Sequence, residues 1–253
     1  MFPRLFSRSA PQPAPVSAQA PAGSRIYAIG DIHGRADLLE RLRAVIVEDA
    51  KWHPVERKVV VYLGDYVDRG TDSRGVVDLL AREALPGFES VFLKGNHEDS
   101  LLQFLDDSRI APAWMAYGGA ATLYSYGVRP PDIRKVEDIT AAQEAFTRAL
   151  PCEHLAFLEA LQLVHIEGDY AFVHAGFREG IPIEFQNPED LMWIRNEFLE
   201  SDADFGKIAV HGHTITERPE IRPNRIGIDT GAFATGLLTC LVLEGTERRF
   251  LAT

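Results

Sequence analysis

Three strand–loop–helix units follow one another in the first half of the chain, and they constrain the fold more than any other feature. The predicted strands cover residues 25–29, 58–63 and 90–93, and each is followed by a loop and by a segment whose apolar residues have helical spacing. Such units build a largely parallel sheet whose functional loops lie at the carboxyl ends of the strands. We therefore expect an α/β fold with a cleft at that edge.

The second half of the chain has a different pattern. Residues 110–161 contain helical segments interrupted by glycine and proline, which predicts a helical insertion beside or over the cleft. Further strands are predicted at residues 170–173, 207–210, 225–228 and 237–243, with one helix near 190–199. Late strands in quick succession indicate a second, mixed sheet packed on the first. We expect one domain over residues 24–253.

Residues 1–23 are rich in proline, alanine and serine and contain no continuous apolar segment. This composition is typical of a disordered tail and not of a signal peptide. The sequence also has no apolar run approaching the roughly 20 residues that cross a bilayer. The two cysteines, Cys152 and Cys240, are too few for a disulfide framework and are expected to be buried thiols. These features predict a cytoplasmic protein that does not bind membranes.

The chain is acidic, with a formal net charge of −11 and a pI near 5.2. Proteins that bind nucleic acid concentrate lysine and arginine against the phosphate backbone. Nucleic acid is therefore not expected as a partner. The sequence gives no indication of the oligomeric state.

The unusual polar residues fall directly after predicted strands. In chain order, the residues at five strand ends are Asp31 and His33; Asp65, Asp68 and Arg69; Asn96, His97 and Glu98; His174; and His211 and His213. Because the carboxyl ends of neighbouring strands meet at one edge of a sheet, we expect these side chains to converge in one crevice.

This set of residue types suits a pair of divalent metal ions, which need several oxygen and imidazole ligands and one shared carboxylate. Asp31 and His33 are two residues apart, so on an extended strand they face the same side and can chelate one ion. A single Asp-x-His pair is more often structural, but five such groups at strand ends favour a metal site. The set contains no thiolate, which suits manganese, iron or zinc.

The sequence resembles the phosphoprotein phosphatase family of the calcineurin-like metallophosphoesterases, in particular its bacterial serine/threonine phosphatases. The family signatures GDIHG, GDYVDRG, GNHE, HAG and GHT occur here in the family's order. The resemblance extends from Arg25 to about Phe250. It implies a four-layer α/β/β/α sandwich, with two mixed sheets packed face to face and helices outside.

The resemblance also implies a set of metal ligands. Asp31 and His33 would hold the first of two divalent ions, and Asp65 would bridge both. The second ion would be completed by Asn96, His174 and His213. Of the two late histidines, His213 is chosen because the family's ligand stands between Gly and Thr, and His211 is expected to support that loop. We take manganese as the metal that supports activity, with iron and zinc as alternatives.

The remaining roles follow from the resemblance and from the charge that develops during phosphoryl transfer. A hydroxide bridging the two metals would be the nucleophile. Arg69 and Arg195, with Asn96, would bind the phosphate oxygens, since a guanidinium group matches them with two donors. His97 would protonate the leaving oxygen, and Asp68 would orient and stabilise the resulting imidazolium.

The sequence alone is compatible with three functions. The first is a serine/threonine protein phosphatase acting on a phosphoprotein or a small phosphoester. The second is a symmetrical dinucleoside tetraphosphatase, a branch that generally has Ala at the place of Asp68 and Asp at the place of Glu98. The third is a binding protein with an inactive site, which the full set of ligand types disfavours. Asp68 and Glu98 favour the protein phosphatase.

Several residues outside these motifs are given less specific interpretations. Tyr117, Tyr124 and Tyr126 lie in the predicted insertion at approximately helical spacing, which favours core packing over substrate stacking. His53, His154 and His165 are predicted to be surface or packing residues. Asp229-Thr230-Gly231 occurs once and is predicted to be a strand-end turn near the site, because an aspartic protease needs a paired carboxylate.

Overall fold

The computed structural model describes residues 18–52, 54–82 and 85–253 and contains two five-stranded mixed sheets in this range. The ten strands are β1 (Ser24–Ile29), β2 (Arg57–Tyr62), β3 (Glu89–Phe92), β4 (Val164–Glu167), β5 (Tyr170–Val173), β6 (Ile208–His211), β7 (Glu220–Ile221), β8 (Arg225–Gly227), β9 (Thr239–Glu244) and β10 (Glu247–Ala252). The first sheet has the order β10-β9-β1-β2-β3 and the second β4-β5-β6-β8-β7.

The parallel strands form one side of the first sheet and the centre of the second. β1, β2 and β3 are parallel in the first sheet, as are β5, β6 and β8 in the second. Strands β9 and β10 add an antiparallel hairpin to the first sheet, while β4 and β7 are antiparallel edges of the second. The predicted parallel units are confirmed. The sequence pattern missed β4, β7 and β10, which are short or only half-buried edge strands.

The helices flank the sheets and also form most of the middle of the chain. They are α1 (Ala36–Trp52), α2 (Ser73–Arg82), α3 (Asn96–Asp106), α4 (Ala111–Ala116), α5 (Gly119–Ser125), α6 (Val136–Ala149), α7 (Cys152–Glu159), α8 (Pro188–Trp193), α9 (Asn196–Leu199) and α10 (Ala232–Thr235). The segment predicted as a helical insertion contains α4 to α7. Among the described residues, no helix is long and apolar enough to cross a membrane.

Alternating side chains of β1 face two different apolar cores. Tyr27 and Ile29 pack towards the helices on one side of the first sheet, whereas Ile26 and Ala28 pack between the two sheets. A third core joins the outer face of β5 and β6 to α8 and α9, through residues such as Phe198. Because both faces of the central strands are buried, they appear in the sequence as continuous apolar runs. The expected four-layer α/β/β/α sandwich is confirmed.

The end of the predicted tail contacts the domain. The backbone N–H of Ala20 donates to the carbonyl of Gly245 at 2.8 Å, and that of Asp169 donates to the carbonyl of Gln19 at 2.9 Å. Ala20 is 5% exposed and belongs to the core between the sheets. The prediction for the first 17 residues lies outside the described residues. Residues 18–23 form part of the packed structure, because their backbone pairs with two β-hairpin loops.

Two truncations should therefore behave differently. Removing residues 1–17 is expected to leave the melting temperature unchanged, because their composition offers few apolar groups to a core. Removing residues 1–23 should lower it by several degrees, since each lost hydrogen bond contributes about 1 kcal/mol and Ala20 leaves the core. Thermal unfolding of both variants and the full chain checks this; equal melting temperatures for the two truncations would contradict it.

The cysteines are unpaired, and only one has the predicted environment. Cys240 is buried in β9, but Cys152 is exposed at the start of α7. The prediction of a buried thiol is therefore wrong for Cys152, which lies at a helix N-terminus on the surface.

Candidate metal centre

Side chains from five strand ends converge at one edge of the two sheets, as the sequence predicts. Each of the converging residues is at most 6% exposed: Asp31, His33, Asp65, Asn96, His97, His174 and His213. They follow β1, β2, β3, β5 and β6 in the chain. Burial of this many polar groups costs free energy unless partners or cations compensate for the lost water.

Asp65 lies at the centre of the cluster. Its Oδ2 is 3.4 Å from His33 Nε2 and 3.8 Å from His97 Nε2. Its Oδ1 is 3.4 Å from His174 Nε2. Ligand atoms fall into two groups that can each hold a metal ion, His33–Asp65–His97 and Asp65–His174–His213. Asp65 belongs to both groups, which is the arrangement expected of a bridging carboxylate.

Hydrogen bonds fix which nitrogen of two imidazoles faces the centre. His33 Nδ1 donates to the carbonyl of Val67 at 2.8 Å, and His174 Nδ1 donates to the carbonyl of Leu63 at 2.9 Å. A carbonyl oxygen can only accept, so the Nε2 lone pair of each ring points inward, towards the other residues of the cluster, where a cation can bind it. Burial lowers the pKa of His33 to about 3 and that of His213 to about 2, which keeps both rings neutral.

Unbalanced negative charge provides a second indication that cations fit here. Asp31, Asp65 and Asp229 are all about 2% exposed. Burial, together with the charges of Asp229 and Asp65, raises the pKa of Asp31 well above its usual range. Burial is also the main cause that raises the pKa of Asp229 to about 6. Two divalent cations beside these carboxylates would relieve that repulsion, because opposite charge favours the ionised form.

Asp31 lies beside the two groups of ligand atoms and is not a member of either. Its carboxylate accepts from the backbone N–H of His213, at 3.2 and 3.1 Å. The expectation that Asp31 and His33 face the same side of an extended strand is wrong, because β1 ends at Ile29 and His33 has a φ of +46°. The loop conformation, and not strand periodicity, turns both side chains inward.

The two late histidines differ in their surroundings. His213 belongs to the second group, and its Nδ1 is 3.2 Å from His174 Nε2. His211 is outside both groups; its Nδ1 lies 3.1 Å from the carbonyl of Gly212, and its ring packs against Phe198 at 5.0 Å. The assignment of His213 as the ligand and His211 as a supporting residue stays a prediction.

Positive φ values are concentrated at this site. In the described chain, the non-glycine residues with positive φ are His33, Asp65, Asp68, Arg69 and His213. Such conformations cost about 1–3 kcal/mol each and persist only where surrounding contacts enforce them. Four of these residues are predicted to bind metal or substrate and Asp68 is predicted to orient His97, so the backbone strain coincides with the site.

His97 is paired with Asp68 beside the metal groups. His97 Nδ1 lies 2.7 Å from Asp68 Oδ2, while its Nε2 is buried without a hydrogen-bond partner and faces Asp65. Burial lowers the pKa of His97, but the carboxylates of Asp65 and Asp68 outweigh this effect and raise it overall. An imidazole held by a carboxylate at Nδ1, with Nε2 left without a hydrogen-bond partner, is suited to transfer a proton through Nε2.

Two arginines border the centre. Arg69 Nη1 donates to His33 Nε2 at 2.8 Å, and its guanidinium lies 5.0 Å from the centre of the Phe233 ring. Arg195 is exposed, and its Nη1 donates to Thr214 Oγ1 at 3.4 Å. Thr214 follows His213, so the Arg195 side chain lies near the second group of ligand atoms, whereas Arg69 lies beside His33 of the first. Both arginines can therefore reach an anion in the cleft.

Residues 24–230 match the sequence profile of the calcineurin-like phosphoesterases. The chain belongs to this family. Its members use divalent metals, and the two groups of ligand atoms agree with a two-metal phosphoester hydrolase.

Relatives of this calcineurin-like phosphoesterase have more than one substrate class. It is 28% identical over 228 residues to the asymmetrical bis(5'-nucleosyl)-tetraphosphatase PrpE of Anoxybacillus flavithermus, covering 84% of this chain and 88% of that protein. It is 27% identical over 223 residues to serine/threonine-protein phosphatase 1 of Salmonella typhimurium, covering 85% of this chain and 89% of that protein.

Solved structures share the fold at lower identity. A proposed diadenosine tetraphosphatase has a TM-score of 0.60 and 21% identity, with 94% of this chain and 95% of that chain covered. A serine/threonine phosphatase from Saccharomyces cerevisiae has a TM-score of 0.53 and 13% identity, with 91% and 79% covered.

Glu98 connects two of the loops that build the metal centre of this phosphoesterase. Its Oε2 accepts from the backbone N–H of Asp65 at 2.9 Å and of Gly95 at 3.0 Å. Its Oε1 accepts from Tyr66 at 2.7 Å and Val67 at 3.2 Å. The loops also meet closely, because a Cβ on Gly95 would lie 2.1 Å from Asp65 Oδ1. One buried carboxylate thus holds the bridging residue in place.

Replacing Glu98 by glutamine should weaken metal binding. The amide offers one acceptor oxygen, and its NH₂ group would face backbone donors that need an acceptor. We expect the metal affinity to fall about 10–100-fold, as for other residues that position ligands. Equilibrium dialysis with manganese checks this, with Asp99→Asn on the next residue as a matched control. Wild-type affinity in the Glu98→Gln variant would contradict it.

Sequence patterns alone did not find two residues around the site. Trp114 and Thr122 contact Asp68 from the insertion. Neither has a motif that indicates a contact across the fold, since such partners depend on tertiary packing. Asp229, by contrast, lies close to Asp31, so its predicted place near the site is confirmed.

The three tyrosines of the insertion differ in their burial. Core packing is wrong for Tyr117 and Tyr124, which are 45% and 66% exposed. Tyr117 instead packs against Trp193 and His97 at the rim of the cleft. Tyr126 is buried as expected and lies 2.9 Å from the Nδ1 of His154, a packing histidine. His53 lies outside the described residues.

Proposed function

We propose that this calcineurin-like phosphoesterase is a serine/threonine protein phosphatase. The observation that carries the proposal is the buried His97–Asp68 pair, with a 2.7 Å contact and an unpartnered Nε2 directed at the cleft. An alkoxide leaving from phosphoserine is strongly basic and needs a proton, so a positioned acid is most useful with that substrate. The similarity to serine/threonine-protein phosphatase 1 supports the same substrate class.

The residues of the chain have distinct roles in this proposal. Arg69 and Arg195 bind the phosphate oxygens, assisted by Asn96, and neutralise charge as the phosphoryl group is transferred. His97 gives its Nε2 proton to the leaving oxygen, and Asp68 holds the ring through Nδ1. Two divalent cations, held by Asp31, His33, Asp65, Asn96, His174 and His213, would supply a water nucleophile of lowered pKa. We propose manganese, because the donors are oxygen and imidazole only.

A dinucleoside tetraphosphatase is the second candidate; the type expected from the sequence is the symmetrical one, whereas the relative PrpE is the asymmetrical type. It is favoured by the similarity to PrpE over 84% of the chain. Its leaving group is a nucleotide phosphate of low basicity, which needs little help from an acid. The presence of Asp68, which holds the proposed acid His97, therefore favours the protein phosphatase.

A substrate panel separates the two candidates. Manganese-loaded protein is assayed with phosphoserine and phosphothreonine peptides and with diadenosine tetraphosphate, and kcat/KM is compared. We expect the phosphopeptides to be preferred. Efficient cleavage of the dinucleotide with no phosphopeptide hydrolysis would overturn the proposal and establish the second candidate.

A further inference from the structure

The carboxylate of Asp68 is held by side chains from the helical insertion. Trp114 Nε1, on α4, donates to Asp68 Oδ2 at 2.9 Å. Thr122 Oγ1, on α5, donates to Asp68 Oδ1 at 2.5 Å. Asp68, Trp114 and Thr122 are all 0% exposed. Each carboxylate oxygen therefore has a donor from the insertion, and Oδ2 also contacts His97.

The insertion also holds the backbone of the same turn. The N–H of Asp68 donates to Thr122 Oγ1 at 2.9 Å, and the N–H of Arg69 donates to the carbonyl of Gly118 at 3.3 Å. Asp68 and Arg69 have φ values of +71° and +65°. A turn with two such residues is strained, so contacts from outside must keep it in place. Thr122 provides one of them with the same hydroxyl that binds the carboxylate.

Apolar packing anchors the insertion behind the turn. The Trp114 ring lies 4.8 Å from the ring of Phe104 and 5.9 Å from that of Phe146, on α3 and α6. All three rings are fully buried, and close packing holds the indole in one position. The indole therefore cannot move with the Asp68 carboxylate if that carboxylate shifts. The contact with Asp68 is therefore one between rigid partners.

We propose that the helical insertion is a clamp on the Asp68–Arg69 turn, with Trp114 and Thr122 as positioning residues for the proton donor His97. The clamp fixes Asp68 Oδ2 towards His97 Nδ1, which in turn directs Nε2 at the leaving oxygen. This rests on the role of His97 in the proposed function. It extends that role to two residues that contact neither substrate nor metal ligands.

The test uses aryl phosphates that differ in how much they need a proton. Phenyl phosphate has a basic leaving group, whereas p-nitrophenyl phosphate has a good one. Thr122→Val keeps the shape but removes the hydroxyl, and we expect it to slow phenyl phosphate hydrolysis about 10–100-fold, the range for positioning residues. Hydrolysis of p-nitrophenyl phosphate should slow much less. Thr122→Ser, which keeps the hydroxyl, should restore most of the loss.

Thr147→Val is the matched control, because Thr147 is an exposed residue of α6 whose hydroxyl donates to the backbone of the same helix. It should leave both rates unchanged. A merely structural role of Thr122 predicts equal slowing of the two substrates, and a role of its methyl group predicts no rescue by serine; either result would overturn the clamp. Aryl phosphates require no protein substrate, so failure of the clamp is distinct from failure of the proposed function, which the phosphopeptide assay reports.

Discussion

Replacing Asp65 by asparagine is expected to remove metal from the protein and to lower phosphatase activity by more than the 10–100-fold typical of residues that only support ligands. Asp65 belongs to both groups of ligand atoms, and its two oxygens face different groups. Asparagine keeps the shape but loses the charge and one acceptor oxygen. Metal content per chain and kcat are measured together, so that loss of chemistry and loss of metal are separated.

The matched control for this prediction is His211→Asn. His211 lies near the centre but outside both groups, so its replacement should retain both metals and most of the activity. His213→Asn, by contrast, should lose metal. The ligand assignment is wrong if the His211 variant loses a metal while the His213 variant keeps both, or if Asp65→Asn binds two ions as the wild type does.

Replacing His97 by asparagine should slow phosphopeptide hydrolysis by roughly the 10²–10⁴-fold that a general acid contributes. The Nε2 of His97 is buried and has no hydrogen-bond partner, and an alkoxide leaves poorly without a proton. A nitrophenolate leaves readily, so hydrolysis of p-nitrophenyl phosphate should slow much less. Asp68→Asn should show the same selectivity in a weaker form, because the imidazole remains but its orienting charge is lost.

Both variants are assayed on phosphopeptide, p-nitrophenyl phosphate and diadenosine tetraphosphate. Equal losses on all three substrates would refute the leaving-group role of His97. Metal content is measured in parallel, since His97 follows Asn96 and also lies in the first group of ligand atoms. A loss of metal in His97→Asn would mean that it acts as a ligand.

The site residues that directly follow β-strands could be predicted from the sequence. Strands such as β1 and β2 are apolar on both faces, and the polar residues that follow them interrupt this pattern abruptly. Neighbouring parallel strands bring their ends together, so Asp31, Asp65 and Asn96 could be assigned to one crevice without coordinates. The order of the motifs then pointed to the family.

Contacts that depend on side-chain packing between distant segments could not be predicted. Thr122 and Trp114 contact Asp68 although they lie 54 and 46 residues further along the chain. The helical periodicity around them does not indicate this contact. Helical spacing predicted that Tyr117 packs in a core, whereas its ring lies at the cleft, next to the ring of His97. Similarly, the backbone of Ala20 pairs with that of Gly245, and its side chain joins a core. Amino-acid composition gives no information about such backbone pairing.

Metal removal tests the central claim, that two divalent cations in this buried cluster supply the nucleophile for phosphoester hydrolysis. The protein is treated with a strong chelator, dialysed, and assayed with p-nitrophenyl phosphate before and after addition of manganese, with the metal content determined at each step. We predict that activity falls to background in the metal-free protein and returns as manganese approaches two ions per chain. Undiminished turnover by fully demetallated protein would contradict the account.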